Sequence, residues 1–210
     1  MVADPQLVWA WLEGRSAARN LPGPVADYGG FRIDTDTEAE VRRWVFPDVA
    51  DGIAQLARTI REPRYLIKLC GAADALASAL PRSWLVEGGR WFMERDSGQE
   101  APAPLPPGYR LETNREGAVT KVEVRTHAGE LAASGFAAET ADAFVYDRIE
   151  TDAWHRRRGL AQAVMAALRS CRSSSSGREL LVATADGETL YSILGWRRIS
   201  TYSTAFLPEA

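Results

Sequence analysis

The stretch AFVYDRIETDAWHRRRGLAQAVMAALRSCR, residues Ala143 to Arg172, is the part of this chain on which the rest is organised. It begins with a run typical of a β-strand, Phe144 to Thr151, which a basic connector joins to Gly159. After Gly159, apolar residues recur at intervals of three and four, which predicts a helix with one buried face. The stretch therefore predicts a strand, a basic turn and a helix in succession.

The turn carries Arg156, Arg157 and Arg158 directly before Gly159, and this arrangement favours binding of an anion. The first turn of a helix leaves backbone N–H groups without partners, and the helix dipole adds positive charge there. Glycine lets an anion approach the backbone closely, while arginines supply charge and paired donors. We expect a phosphate or pyrophosphate at this turn. The alternative is a solvated basic face at the start of an ordinary core helix.

Composition limits the classes of function. The chain has 210 residues, enough for one large domain or two small ones. Its net charge of -3 and pI near 5.5 do not favour nucleic acid as a partner. No apolar run reaches the length of a membrane span, and the N-terminus lacks the basic region of a signal peptide. We therefore expect a cytoplasmic protein without a nucleic-acid or membrane partner.

The cysteines and histidines do not suggest a metal site. Cys70 and Cys171 each lie in an apolar segment, so reduced core thiols are the first expectation and a disulfide is the alternative. His127 and His155 have no ligand-like spacing to each other or to the cysteines. We expect no metal cofactor.

The rest of the chain divides into two halves. Proline, glycine and polar residues dominate Asp96 to Gly108, which we interpret as a linker between domains 1–95 and 109–210. In the first half, Trp84 to Val86 and Trp91 to Met93, separated by Gly88-Gly89, predict a β-hairpin. Patterns elsewhere predict helices near 5–20, 49–60, 72–80 and 186–194, and strands at 31–34, 40–46, 64–70, 109–112, 120–126, 131–136, 179–184 and 196–206.

Two motifs in the second half resemble the GCN5-related N-acetyltransferase (GNAT) superfamily. Arg156 to Ala161 is similar to its acetyl-CoA motif, Q/R-x-x-G-x-G/A, and Leu190 to Trp196 is similar to its later motif, L-Y-x-x-L-G-F/W. The two occur in the order and at the spacing of the family, and the resemblance covers about half of the chain, Tyr109 to Phe206. It implies an α/β (α+β) fold with a mixed, curved sheet flanked by helices.

The resemblance also implies a cosubstrate and its contacts. Acetyl-CoA would place its pyrophosphate on the basic turn and its pantetheine arm along the preceding strand. Thr184 stands where the family frequently has asparagine, so that contact departs from the pattern. The implied cofactor-binding residues are Ile149, Glu150, Thr151, Arg156, Arg157, Arg158, Gly159, Leu160, Ala161 and Thr184.

Acetyl transfer to an amine needs a general base for the amine proton and a general acid for the leaving thiolate. The tyrosine of the later motif is the usual acid in the family, which implies Tyr191 for this role. Family members differ in the base, and Glu150 and Asp147 are the candidates here, acting directly or through water.

The first half repeats the pattern of the second. Gly52-Ile-Ala-Gln-Leu-Ala57 is similar to Gly159-Leu-Ala-Gln-Ala-Val164, and a strand and a short helix follow in both. However, Asp51 stands in place of Arg158 and Ala77 in place of Tyr191. We interpret residues 1–95 as a degenerate GNAT-like domain that does not bind acetyl-CoA productively.

One departure concerns the acceptor. The family has two helices after its first strand that form a wall of the acceptor site, and here only Asn114 to Gly117 separates the first two strands. We expect the N-terminal domain, or the second subunit of a homodimer, to supply this wall. Trp84, Trp91 and Phe92 are candidates for it, with core packing as the alternative.

Two functions remain at this point. The first is an acetyl-CoA-dependent N-acetyltransferase acting on a small-molecule or peptide amine, and the second is a non-catalytic acyl-CoA-binding or interaction module. Tyr191 favours the enzyme, because a module that only binds has less need of a proton donor there.

Overall fold

The computed structural model describes residues 3–95, 103–174 and 177–209. The helices in these ranges are α1 (Pro5–Ala18), α2 (Asp51–Thr59), α3 (Ala73–Ser78), α4 (Leu160–Ser170) and α5 (Ala185–Ile193). The strands are β1 (Val25–Asp27), β2 (Gly30–Asp34), β3 (Arg42–Phe46), β4 (Tyr65–Leu69), β5 (Leu85–Arg95), β6 (Tyr109–Glu116), β7 (Val119–Thr126), β8 (Leu131–Glu139), β9 (Ala143–Thr151), β10 (Arg178–Thr184) and β11 (Arg197–Phe206). The predicted mixed sheet flanked by helices is confirmed.

The strands form one sheet in the order β1-β2-β3-β4-β11-β5-β10-β9-β8-β7-β6. The last strand of the first half, β5, lies between β10 and β11, and the last strand of the second half, β11, lies between β4 and β5. The two halves have therefore exchanged their final strands. The predicted linker is described only from residue 103 onward, and the domain boundary stays a prediction.

The central part of the sheet has the symmetry expected of an internal repeat. In the order β3-β4-β11-β5-β10-β9, each strand has a counterpart at the same distance from the midpoint. β3 and β4 are parallel, like β9 and β10, and each pair is joined through a helix, α2 or α4. The two sequence halves are thus related by an approximate twofold axis between β11 and β5.

Strand alternation distributes the core over both faces of the sheet. In β9, Phe144 and Tyr146 pack with α4, while Ala143 and Val145 pack with α1 on the opposite face. α1 begins where the sequence predicts, because Asp4 accepts a hydrogen bond from the Gln6 amide (2.9 Å) and Pro5 occupies the first turn. α2 and α3 cover β3 and β4 with a third apolar cluster.

The predicted hairpin around Gly88-Gly89 is wrong. β5 runs without a turn from Leu85 to Arg95, and Gly89 has a φ of 80°. Its pairing with β11 shifts register between Tyr202, opposite Arg90, and Thr204, opposite Glu87. The two glycines therefore form a β-bulge, because β11 pairs with β5 on both sides of them and the strand stays extended.

Both cysteines are free thiols, as first expected: Cys70 is buried and Cys171 partly buried. Among the described helices, none is long and apolar enough to cross a membrane.

Candidate functional site

The site lies where β9 and β10 separate. These parallel strands pair only from Ala143–Arg178 to Val145–Leu180 and then diverge. The diverging ends open a cleft of about 1110 Å³, which α4, α5 and α1 border. Ten of the predicted site residues line it: Ile149, Glu150, Thr151, Arg156, Arg157, Gly159, Leu160, Ala161, Thr184 and Tyr191.

The basic turn has the geometry of an anion site. Gly159 is the N-cap of α4 with a φ of 78°, and no side chain of the described residues caps this helix end. A Cβ added at Gly159 would meet nothing within 4 Å among the described atoms. The first-turn amides of α4 thus face open space, as anion binding requires.

The three arginines of this turn divide into two groups. Arg156 and Arg157 line the cleft, and Arg157 does so from a backbone with a positive φ of 60°. Arg158 instead donates to the hydroxyl of Tyr109 (2.9 Å) and to the carbonyl of Trp154 (3.2 Å). Arg156 also donates from Nε to the carbonyl of Thr151 (3.4 Å). Two of the three arginines therefore line the cleft, and the third is held by contacts outside it.

The free edge of β9 borders the cleft. β9 pairs with β8 on one side, with a register shift between Phe136, opposite Asp147, and Ser134, opposite Glu150. Arg148 lies in this bulge with a φ of 51°. Beyond Val145, the other edge of β9 has left β10, so backbone groups near Ile149 face the cleft. An extended ligand can pair with such an edge as an added strand.

Tyr191 lies on α5 and is 7 % exposed, with its ring 5.9 Å from that of Trp196. Its hydroxyl makes no hydrogen bond among the described residues, and the side chain lines the cleft. Burial raises the pKa of Tyr191 to about 12. The phenol is therefore protonated near neutral pH.

The two candidate bases differ in their surroundings. Asp147 accepts hydrogen bonds from Arg19 at 2.6 Å (Nε) and 3.0 Å (Nη2), and Arg148 lies 3.3 Å from the same carboxylate. Glu150 is exposed and lines the cleft next to the bulge. The oxygens of Asp147 are therefore engaged by guanidinium groups, whereas Glu150 is open to solvent.

The side chain of Thr184 caps a helix. It is the N-cap of α5, and its hydroxyl accepts a hydrogen bond from the Gly187 amide (3.3 Å). Thr184 therefore helps to fix the start of the helix that carries Tyr191. It is also exposed and borders the cleft.

The wall opposite α4 comes from the first half of the chain. α1 packs across β7, β8 and β9, and its residues Trp11, Arg15 and Arg19 line the cleft. Trp84 and Phe92 are instead buried in the cores, and Trp91 packs against the cluster around Met93. α1 of the N-terminal half thus borders the cleft, and the expectation that this half, or a second subunit, supplies the acceptor wall stays a prediction.

The counterpart of the cleft in the first half is closed. β3 and β4 stay paired along their whole length, from Arg42–Tyr65 to Phe46–Leu69. At the start of α2, a Cβ added to Gly52 would lie 1.6 Å from the carbonyl oxygen of Tyr28. The backbone at Tyr28 thus covers the helix end that in α4 is open. That the first half does not bind acetyl-CoA productively stays a prediction.

The cleft also contains residues that the motifs did not indicate. Lys68 on β4, Arg90 on β5 and Tyr202 on β11 line its end beneath α1. Within the described ranges, no group of three or more His, Cys, Asp or Glu side chains could hold a metal ion.

No protein family model and no curated protein sequence matches this chain. Similar solved structures include a GCN5-related N-acetyltransferase from Kribbella flavida (12% identity, TM-score 0.69, covering 100% of this chain and 98% of that chain). A GCN5-related N-acetyltransferase from Sphaerobacter thermophilus has 12% identity and a TM-score of 0.59, with 100% and 95% coverage. A GCN5-related N-acetyltransferase-like protein from Streptococcus suis has 10% identity and a TM-score of 0.59, with 86% and 84% coverage. The resemblance inferred from the two motifs is confirmed at the level of structure, and the chain has the fold of the GCN5-related N-acetyltransferases.

Proposed function

We propose that this protein is an acetyl-CoA-dependent N-acetyltransferase and that the cleft between β9 and β10 is its active site. The observation that carries the proposal is the open, uncapped start of α4 at the mouth of this cleft, together with a protonated, buried Tyr191 inside it. An open helix start with two arginines suits a pyrophosphate, and the free edge of β9 suits an amide-containing arm.

Acetyl-CoA would supply an activated acetyl thioester. Glu150 accepts a proton from the acceptor amine, and the amine nitrogen forms a bond to the acetyl carbon as the carbon–sulfur bond breaks. Tyr191 donates its proton to the leaving sulfur. The products are an N-acetylated acceptor and coenzyme A. Between turnovers, Glu150 releases its proton to water and Tyr191 takes up a proton from water.

Calorimetric titration of the whole chain with acetyl-CoA tests the cosubstrate site. Arg156→Gln and Arg157→Gln should each weaken binding by about tenfold, because each removes a charge-assisted donor to phosphate. Arg158→Gln is the matched control, with the same change in charge on a side chain that contacts Tyr109, and it should have a smaller effect. Equal effects of all three substitutions would show that only the overall charge of the turn matters.

Turnover tests the role of Tyr191. Tyr191→Phe should lower kcat by about a hundredfold and leave acetyl-CoA affinity unchanged, because it removes only the proton donor. Tyr65→Phe, a change in a ring that packs on Trp44, is the control. Unchanged kcat in Tyr191→Phe would remove this residue from catalysis. Binding of acetyl-CoA without acetylation of any amine would favour the non-catalytic module instead.

A further inference from the structure

Basic side chains from four different elements gather at and behind the end of the cleft beneath α1. Arg43, Lys68 and Arg90 lie on β3, β4 and β5, each two positions before a residue of the core beneath α1, so strand alternation turns all three toward this helix. Arg15 approaches them from α1. We call Arg15, Arg43, Lys68 and Arg90 the basic cluster, of which Arg15, Lys68 and Arg90 line the cleft itself.

The carboxylates near the basic cluster do not balance its charge. Asp147 is bound to Arg19 and Arg148 and lies 3.8 Å from Arg15. Glu40 pairs with Arg43 and lies 3.6 Å from the Lys68 amine. Arg90 has no carboxylate within ion-pair distance among the described residues. Counting Arg19 and Arg148 with the cluster, six basic side chains, five of them guanidinium groups, thus face Asp147 and Glu40, and the exposed Glu150 adds one further negative charge near Arg148.

Burial makes this excess of positive charge costly. Lys68 is 7 % and Arg43 is 5 % exposed, and the Nη1 atom of Arg43 is buried without a hydrogen-bond partner among the described residues. Burial, and then the charge of Arg43, lower the pKa of Lys68 to about 7. Burial and Arg43 also lower the pKa of Arg15 to about 10. Unbalanced buried cations that open onto a cleft are arranged for an anion that comes from outside.

We propose that the basic cluster binds a negatively charged group of the acceptor, so that the acceptor is an amine that also carries a carboxylate or a phosphate. This inference rests on the proposed function, because it assigns the two ends of one cleft to the two substrates. The anion lies at Lys68 and Arg90, and the amine extends toward Glu150 and Tyr191. We expect polyamines to be poor acceptors, since their charges would meet the basic cluster.

Acetylation of matched amines by the whole chain tests this proposal. The anionic probes are the standard amino acids and O-phosphoethanolamine, and the neutral probes are the corresponding amino-acid amides and ethanolamine, with spermidine as a cationic probe. We expect release of coenzyme A thiol, and a rise of the thermal midpoint, with at least one anionic amine and with no neutral counterpart of that amine. Acetylation of an amino acid would indicate a site for a carboxylate, and acetylation of O-phosphoethanolamine a site for a phosphate. Turnover confined to neutral or cationic amines, or no stabilisation by any anionic amine, overturns the proposal.

Substitution of Arg90 locates the anion. Arg90 is exposed and has no ion-pair partner in the described part of the chain, so its replacement perturbs the fold little. Arg90→Gln should raise KM for the anionic acceptor about tenfold with acetyl-CoA affinity unchanged, and Arg90→Glu should shift the preference toward the neutral amine. Arg58→Gln, at an exposed position on α2, is the control with equal charge. An unchanged KM in both Arg90 variants would contradict the assignment.

The same measurements separate this proposal from the proposed function. If acetyl-CoA does not bind but an anionic amine still raises the thermal midpoint of the protein, and Arg90→Gln abolishes that rise, the acetyltransferase assignment fails and the anion site stands. If acetyl-CoA binds and only neutral amines are acetylated, the acetyltransferase assignment stands and the anion site is overturned. If neither acetyl-CoA nor any anionic amine binds, both proposals fail.

Discussion

Lys68 is a buried amine that lines the cleft, and its burial should reduce the stability of the fold. Its pKa is lowered from 10.5 to about 7, first by burial and then by Arg43, with Arg15 and Arg90 adding to the effect and Glu40 opposing it. Between these pH values the unfolded chain binds a proton at Lys68 that the folded chain does not, so stability rises with pH across this window. Lys68→Met should therefore stabilise the protein by about 1–3 kcal/mol near pH 7 and below, and the gain should shrink toward pH 10.5.

Chemical denaturation at pH 6, 8 and 10 measures this difference. Lys121→Met is the matched control, because the Lys121 side chain is 40% exposed and pairs with Glu123, so its removal should not stabilise the fold. A Lys68→Met variant that is less stable than the natural protein at every pH would show that the amine is a structural group. Greater stability combined with poorer use of an anionic acceptor would agree with a residue kept for binding.

Single residues divide clearly into those that the sequence could predict and those that it could not. Tyr191, Gly159 and Arg157 belong to local motifs in which a short spacing along the chain determines the geometry, and the cleft includes all three. Lys68 and Arg90 lie on separate strands, and only the pairing of β4 and β5 with β11 brings them under α1. No local pattern records that pairing, so the basic cluster could not be predicted.

At the scale of elements, α2 and α4 are counterparts whose first turns have different surroundings. Gly52→Ala should destabilise the protein by about 3 kcal/mol or more, because the new Cβ would displace the backbone carbonyl of Tyr28. Gly159→Ala should lower the free energy of unfolding by about 1–2 kcal/mol. The added methyl group meets open space, but the backbone of this residue has a positive φ, which alanine adopts at a cost. Thermal denaturation of both variants measures the two costs.

Ligand binding by the same two variants should show the opposite order. Gly159→Ala places a methyl group where an anion must approach the first turn of α4, and it should weaken acetyl-CoA binding. Gly52→Ala acts at a helix end that Tyr28 already covers, so at temperatures where the variant is folded its acetyl-CoA affinity should be unchanged. Weaker binding in Gly52→Ala alone would indicate that the first half holds the cosubstrate.

Most elements were predicted from the period of the hydrophobic residues, but the hairpin predicted at Gly88-Gly89 was wrong. The hairpin at Gly88-Gly89 was predicted because paired glycines between apolar runs are a typical turn signal. In the structure β11 pairs with β5 on both sides of the two glycines, and β10 pairs with β5 from Arg90 onward, so the strand continues through a bulge instead of turning back. The local signal was overruled by strands that lie far away in sequence.

At the scale of the whole molecule, the exchange of β5 and β11 makes each half depend on the other. Without β5, β10 and β11 would each lose the neighbour that pairs with most of their residues. Unpaired central strands expose backbone groups and apolar side chains, which favours aggregation. We therefore expect a single cooperative unfolding transition for the whole chain, measured by calorimetry, although the repeat in the sequence indicates two domains. Two separate transitions would show that the halves are stable independently.

Fragments test this interdependence directly. A chain that begins at Pro106 contains the basic turn, Tyr191 and Glu150, yet it lacks both β5 and α1, which borders the cleft. We expect this fragment and residues 1–95 to aggregate when each is expressed alone, and to form a soluble one-to-one complex that binds acetyl-CoA when they are expressed together. Circular dichroism and calorimetry on the separate and combined fragments measure the outcome. A folded fragment 106–210 that binds acetyl-CoA by itself would mean that β10 and β11 can pair directly, and that the first half serves only the acceptor.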